Sequence, residues 1–206
     1  MTEARASGRV IVIAGPACCG KSTVGRSLMG GGMPHVAEAI GLTLRSPCEL
    51  IQAKNWHRFE ESTCETVLFH YDFTRPPFRE KRAGRDGALT VLARARGLRF
   101  LTLWAAPADV DRRFRRKTRS VVGGHINRFE IRLAWRAFRE MRRKRPFVAR
   151  RDLMWDSYLR WFEFTSTFGP CPHWILRSDR ADDGPTPLTG TKPAPFWDAL
   201  PSGSAI

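Results

Sequence analysis

Gly15-Pro16-Ala17-Cys18-Cys19-Gly20-Lys21-Ser22 sets two glycines, a lysine and a hydroxyl at the spacing G-x-x-x-x-G-K-[ST]. Glycines let the main chain turn sharply. A helix starting at that turn aims its unpaired N–H groups, and the positive end of its dipole, at a single spot. Such a spot suits a polyphosphate. The pattern assigns the backbone of Gly15, Pro16, Ala17, Cys18, Cys19 and Gly20 to cradling phosphates. It assigns Lys21 to the β- and γ-phosphates, Ser22 to a Mg²⁺ ion and Thr23 to the vicinity of the α-phosphate.

Such a loop works only when a strand enters it and a helix leaves it. Arg9-Val10-Ile11-Val12-Ile13-Ala14 is β-branched and apolar without polar alternation, as expected of a parallel strand buried on both faces. Residues 21–29 hold no proline, place Val24 and Leu28 at helical spacing, and end at Gly30-Gly31-Gly32.

With that context the sequence resembles the P-loop kinases, the small phosphotransferases of the nucleoside-kinase and nucleoside-monophosphate-kinase type, over about residues 9–180. The resemblance implies the α/β fold of the P-loop NTPases: a three-layer α/β/α sandwich with a mostly parallel sheet and a helical, arginine-rich lid at about residues 109–125. One kinase-like domain over residues 1–180 is expected with it, and the proline-, glycine- and threonine-rich stretch from Ala181 reads as a flexible tail over residues 181–206. ATP as donor, Mg²⁺ as cofactor and an alcohol as acceptor are implied with it.

Further candidates lie along the chain. Thr66-Val67-Leu68-Phe69-His70-Tyr71-Asp72 reads as a second apolar strand ending in a carboxylate. There Asp72 either holds Mg²⁺ through water or takes a proton from the acceptor hydroxyl. His70 reads as a packed strand histidine. Arg75, in a long basic loop over residues 73–85, either binds the acceptor or is solvated. A third strand over residues 98–104 follows a helix over residues 86–96, giving a parallel crossover. The segment Pro107-Ala108-Asp109-Val110-Asp111-Arg112-Arg113-Phe114-Arg115-Arg116-Lys117-Thr118-Arg119 resembles the element that carries lid arginines in small P-loop kinases. Arg113, Arg116 and Arg119 are the residues expected to neutralise the transferring group, and Gly123-Gly124 is the expected hinge.

The rest is positioning. Ser46-Pro47-Cys48-Glu49 reads as a capping box opening a helix to about Trp56. Residues 33–45 are ambiguous, with a short strand near His35-Val36. A long amphipathic helix is expected over residues 126–145, its apolar side formed by Phe129, Leu133, Ala137, Phe138 and Met141. Its basic stripe is Arg128, Arg132, Arg136, Arg139 and Arg143. An aromatic helix over residues 151–167 should be mostly core. A last strand over residues 172–179 leads to a loop, residues 179–183, that could contact a base.

Composition narrows the class. The chain has 206 residues, 42% of them apolar, enough for one full core. No apolar run of eighteen exists and the N-terminus is polar, so a cytoplasmic protein without a membrane span is expected. Five cysteines, two of them in the loop, suggest reduced thiols. Cys19 is either a small filler or a thiol of lowered pKa near a helix start. The net charge of +15 fits an anionic partner or a solvated basic surface.

These readings converge on an enzyme: a Mg-ATP-dependent kinase that moves the γ-phosphoryl group to a hydroxyl of a small molecule such as a nucleoside, sugar or metabolite. Lys21, Asp72, Arg113 and Arg116 are its catalytic candidates, and Ser22 and Asp72 its metal ligands. A polynucleotide 5′-kinase or other nucleic-acid-acting enzyme is the alternative. A sulfotransferase is disfavoured because its donor loop generally lacks the adjacent Gly-Lys-Ser. The absence of an N-K-x-D motif argues against a regulatory GTPase.

Overall fold

The structure, a computed structural model, describes residues 9–43, 48–75, 78, 86–95, 97–179 and 181–188. Its centre is β1 (Arg9–Gly15), buried along almost its whole length. Side chains alternate across a strand. Val10, Val12 and Ala14 therefore enter one core with Phe69, Tyr71, Phe100, Tyr158 and Trp161, while Ile11 and Ile13 enter another with Val24, Leu28, Val36 and Ala37. Each of the larger aliphatic and phenylalanine side chains among them contributes roughly 1.5–3 kcal/mol by leaving water.

The sheet is ordered β2-β3-β1-β4-β5-β6. Strands β2 (Cys48–Gln52), β3 (Thr66–Asp72), β1, β4 (Leu98–Trp104) and β5 (His173–Arg177) pair in parallel, and β6 (Thr186–Pro187) runs antiparallel to β5. Helices α1 (Lys21–Met29) and α2 (Pro34–Ala39) cover one face. Helices α4 (Gly87–Leu92) and α8 (Arg151–Ser166) cover the other. The short α3 (Arg58–Glu61) follows β2. The result is an α/β protein compatible with a three-layer arrangement. From β1 the chain moves to one edge of the sheet, and from β3 it crosses past β1 to the other side. Neighbouring loops thus diverge at the carboxyl ends of β1, β3 and β4, which opens a crevice there.

From β4 the chain enters a helical hairpin, α5 (Pro107–Asn127) and α6 (Ile131–Lys144), then the one-turn α7 (Pro146–Ala149). Val110 and Phe114 of α5 and Val148 of α7 pack on Ala17, with Met141 and Cys18 at the margin. This small core fastens the hairpin's base to the loop after β1.

Several expectations are corrected. The capping-box helix is instead β2, paired with β3 from Cys48↔Thr66 to Gln52↔His70; pairing at the sheet edge outweighs a local capping signal. Residues 44–47 of that segment lie outside the described residues. The strand near His35 is α2, started by Pro34 in its first turn. Gly123 and Gly124 are no hinge: α5 runs through both as one 21-residue helix. The turn comes later, at Phe129, whose φ is 57°. Glu130 N–H donates to His125 O at 2.8 Å and Phe129 N–H to Ile126 O at 2.9 Å, the paired bonds of a Schellman ending. The helix expected from residue 126 therefore begins at Ile131.

The expected apolar side is largely exposed as well: Phe129, Leu133 and Phe138 are exposed, Ala137 and Met141 are half-buried, and the one buried residue of α6 is Ala134. The hairpin leaves the sheet, so α6 has little besides α5 and α7 to pack on. Helix α4 is shorter than expected, with Asp86 capping it by accepting from Ala88 N–H at 3.1 Å. In α8, Tyr158, Trp161 and Phe162 are core as expected. The tail does not begin at residue 181, since a 3-10 turn (Ala181–Asp183) and β6 extend the ordered elements. The remainder of the expected tail, residues 189–206, and most of the loop over residues 73–85 lie outside the described residues. Among those described, no helix is long and apolar enough to cross a membrane.

Candidate functional site

The loop leaving β1 curls back over its own lysine. Lys21 is only 4% exposed, and its Nζ donates to Gly15 O at 2.8 Å and to Pro16 O at 2.6 Å. A buried ammonium needs such acceptors. The turn depends on both glycines. A Cβ at Gly15 would stand 2.4 Å from Cys19 Sγ and 3.0 Å from Leu103 O. Gly20 has φ 101°, where a side chain is strained, and no side chain caps α1 behind it. Thr23 N–H donates to Gly20 O at 2.9 Å, so among the described residues the first-turn amides open to a ligand are those of Lys21 and Ser22.

Parallel pairing sets Gly15 opposite Asp72, so the aspartate stands beside the loop at the end of β3. Asp72 Oδ1 accepts from Thr74 N–H at 3.0 Å and from Thr74 Oγ1 at 2.6 Å, and Lys144 Nζ lies 3.7 Å from Oδ2. Burial alone would raise its pKa. Lys21, Lys144 and the two Thr74 bonds together outweigh burial and hold the carboxyl below its usual range. Asp72 is therefore a firm anion, better at holding a cation than at storing a proton.

Ser22 Oγ lies 3.4 Å from Nδ1 of His70, two residues before Asp72. Burial, reinforced by Lys21, pushes the His70 imidazole down to about 3. It is neutral at physiological pH, so His70 is both a packed strand residue and a wall of the site. Ser22 and Asp72 could share a magnesium ion. Among the described residues no group of three or more His, Cys, Asp and Glu gathers to hold a metal by itself. A hydroxyl and one carboxylate beside phosphate oxygens and water is a donor set that fits this hard cation.

These residues open on a cavity of about 1840 Å³. It brings together Ala17, Cys18, Gly20, Lys21, Ser22, Thr23, Asp72, Arg113 and Arg116 from the expected set. Gly15, Pro16 and Cys19 shape it from behind, Cys19 being wholly buried. Burial raises the Cys19 thiol above its ordinary value, so the filler reading holds and the lowered-pKa reading does not. Cys18, Cys19, Cys64 and Cys171 are free thiols.

One lid arginine was misplaced. Arg119 does not line the cavity; the wall of α5 is Arg113, Arg116, Lys117 and Ser120. At 100° per residue, six positions rotate a side chain by about 120° off the starting face, whereas three, four and seven stay on it. Arg113 rests against the loop, its Nη1 4.0 Å from the place of a Cβ on Gly20.

Sequence reasoning missed Lys144, Lys117 and Ser178 as site residues. Ser178 follows β5, sits against Gly20, and its buried Oγ has no hydrogen-bond partner among the described residues. An orphaned hydroxyl at the cavity wall is an additional sign of a polar occupant. The i+3/i+4 arginine stripe did carry a signal: Arg132, Arg136, Arg139 and Arg143 all face the cavity. Arg128, its fifth member, instead bonds Glu130 at 3.0 Å. Comparison with protein-family models, with curated proteins and with solved structures finds no match to this chain.

Proposed function

We propose that the chain is a Mg-ATP-dependent phosphotransferase of the P-loop NTPase kind, which moves the γ-phosphoryl group of a nucleoside triphosphate to a hydroxyl acceptor. The observation that carries the reading is the lysine bent onto its own loop: Lys21 Nζ on the Gly15 and Pro16 carbonyls, with Ser22, Asp72 and Arg113 at the same crevice. Main-chain carbonyls compensate a buried amine less well than phosphate oxygens do, so a polyphosphate is a better partner for Lys21 than its own loop. The loop amides hold the donor's phosphates and Lys21 reaches the outermost ones.

Ser22 and Asp72 would hold magnesium, which when bound neutralises charge across the β- and γ-phosphate oxygens. Arg113 and Arg116, on an element that borders the cavity, stabilise the charge spread over the transferring group.

The test is Mg-ATP binding and turnover in the wild type and in Lys21→Ala. The lysine is buried, so its removal leaves two carbonyls without a donor and costs about 1–3 kcal/mol of stability. Transfer should fall at least about 100-fold beyond that effect. A folded variant that transfers phosphate at the wild-type rate overturns the proposal. A thermal shift with a nucleotide sulfonate donor but none with Mg-ATP does so too.

A further inference from the structure

The cavity is larger and more basic than a triphosphate and a small alcohol require. Ligand sites for small molecules span roughly 300–1,000 Å³, against about 1840 Å³ here. The surplus lies toward α6. The hairpin, residues 107–145, carries fourteen basic and four acidic residues, a net +10 out of the chain's +15. On its outer parts arginines have carboxylate partners: Arg112 with Asp109, Arg115 with Asp111 and Arg128 with Glu130. On the cavity side, Arg132, Arg136 and Arg139 are exposed and have no ion-pair partner among the described residues. Glu140 is the one carboxylate on that wall of α6, and it is bonded to Lys144 at 3.2 Å.

With Arg143, these side chains form a stripe about 16 Å long at 1.5 Å of rise per residue. An aromatic platform lies within it. Trp135, 60% exposed and lining the same cavity, stacks on Phe138 with ring centroids 5.7 Å apart and planes at 23°. Regularly spaced guanidinium groups along a track, with an exposed indole among them, match a phosphodiester backbone and an unstacked base. A neutral sugar could stack on the indole but leaves the arginine row without a partner, and a membrane surface or an acidic protein has no base to stack.

We propose that the acceptor is a terminal hydroxyl of a single-stranded polynucleotide, laid along α6 with its end at Lys144 and a base further along the strand on Trp135. This rests on the phosphotransferase reading and names its substrate. The terminal oxygen forms a bond to the γ-phosphorus as the bond from that phosphorus to the β–γ bridging oxygen breaks. The nucleoside diphosphate leaves and the hydroxyl proton passes to water.

The experiment measures binding of a single-stranded oligonucleotide to the full chain without nucleotide, and label transfer from γ-labelled Mg-ATP to its ends. With about 0.7 of log-log salt slope per phosphate contact on a single strand, four contacts weaken binding about 50-fold between about 50 and about 200 mM salt. Substituting Arg132, Arg136 and Arg139 together by alanine should lower that slope by about 2. Trp135→Ala should weaken binding about 10-fold. These positions are exposed on a helix, so the variants are expected to fold, as circular dichroism will show.

Label should appear in oligonucleotides with a free end, and blocking the 5′ or the 3′ end identifies which one. Equal binding of inorganic polyphosphate or of a blunt duplex, no effect of Trp135→Ala, or no transfer to any free end each overturn the proposal. A wild type that binds no Mg-ATP sinks the nucleotide site instead. A protein that binds Mg-ATP but not the oligonucleotide sinks only this acceptor.

Discussion

Lys144 Nζ stands 3.7 Å from Asp72 Oδ2, so the last turn of α6 touches the carboxylate at the end of β3. The contact joins the hairpin to the sheet at the point where a cation would be held. Under the proposed function, a lysine beside that carboxylate would compete with magnesium for its charge. Lys144→Ala should therefore lower the half-saturating magnesium concentration about 2- to 5-fold, the range of a partly exposed ion pair. A magnesium titration of nucleotide binding checks it. A requirement that rises in the variant would make Lys144 a support of the site rather than a competitor.

Gly15 is a second pressure point. A Cβ there meets Cys19 Sγ at 2.4 Å and the Leu103 carbonyl at 3.0 Å. Overpacking of this kind costs about 1–3 kcal/mol, and the loop has to shift to relieve it. Gly15→Ala should lose that much stability in urea denaturation and weaken Mg-ATP binding. Adding Cys19→Ala removes the nearer obstacle and should recover part of the loss. No recovery in the double variant would place the strain at Leu103 instead.

What was legible in the sequence follows from the range of the forces involved. The strand-loop-helix over residues 9–29 could be read because its glycines, β-branched run and helical spacing are all local. Asp72 could be placed beside Gly15 because a strand end is visible in sequence, though the register that sets them opposite is not. The edge strand β2 was misread as a helix because a capping signal is local and pairing with β3 is not. Lys144 and Ser178 reach the cavity only through the folding of α6 and β5 around the sheet. The arginine stripe was visible, but whether it faces solvent or a cavity depends on how the hairpin turns at Phe129.

Acid should act on the core through His173. The imidazole bonds the Thr102 hydroxyl at 2.7 Å, and Trp161 Nε1 donates to the same hydroxyl at 2.9 Å. Burial pushes the His173 pKa down to about 3 from an ordinary 6.5. The unfolded chain thus binds a proton that the folded chain refuses. Stability is intact above about pH 6.5 and falls as pH drops toward about 3. At about pH 5 this residue alone accounts for roughly 2 kcal/mol. His70, lowered to about 3 as well, adds to the same slope. Urea denaturation at a series of pH values should show the decline, and His173→Gln should remove about half of it, His70 keeping the rest, while lowering stability at neutral pH. A curve that stays level from pH 7 to 5 would mean the folded protein accommodates the charged ring.

Phe129 ends α5 with φ 57° and is 90% exposed. A left-handed conformation costs a non-glycine residue roughly 1–2 kcal/mol, and this ring regains little of that cost by burial. Glycine takes the conformation freely, though it loses more entropy on folding. Phe129→Gly should then stabilise the chain by about 0.5–1 kcal/mol. In a protein of this size that raises the melting temperature by roughly 1–4 °C. The turn would keep its two closing bonds, to His125 O and Ile126 O, so the hairpin should hold its course and Mg-ATP binding should be unaffected. A fall in melting temperature would show that the exposed ring has a contact that offsets the strain. In that case Phe129→Leu, keeping an apolar side chain at the same φ, should lose less than the glycine variant.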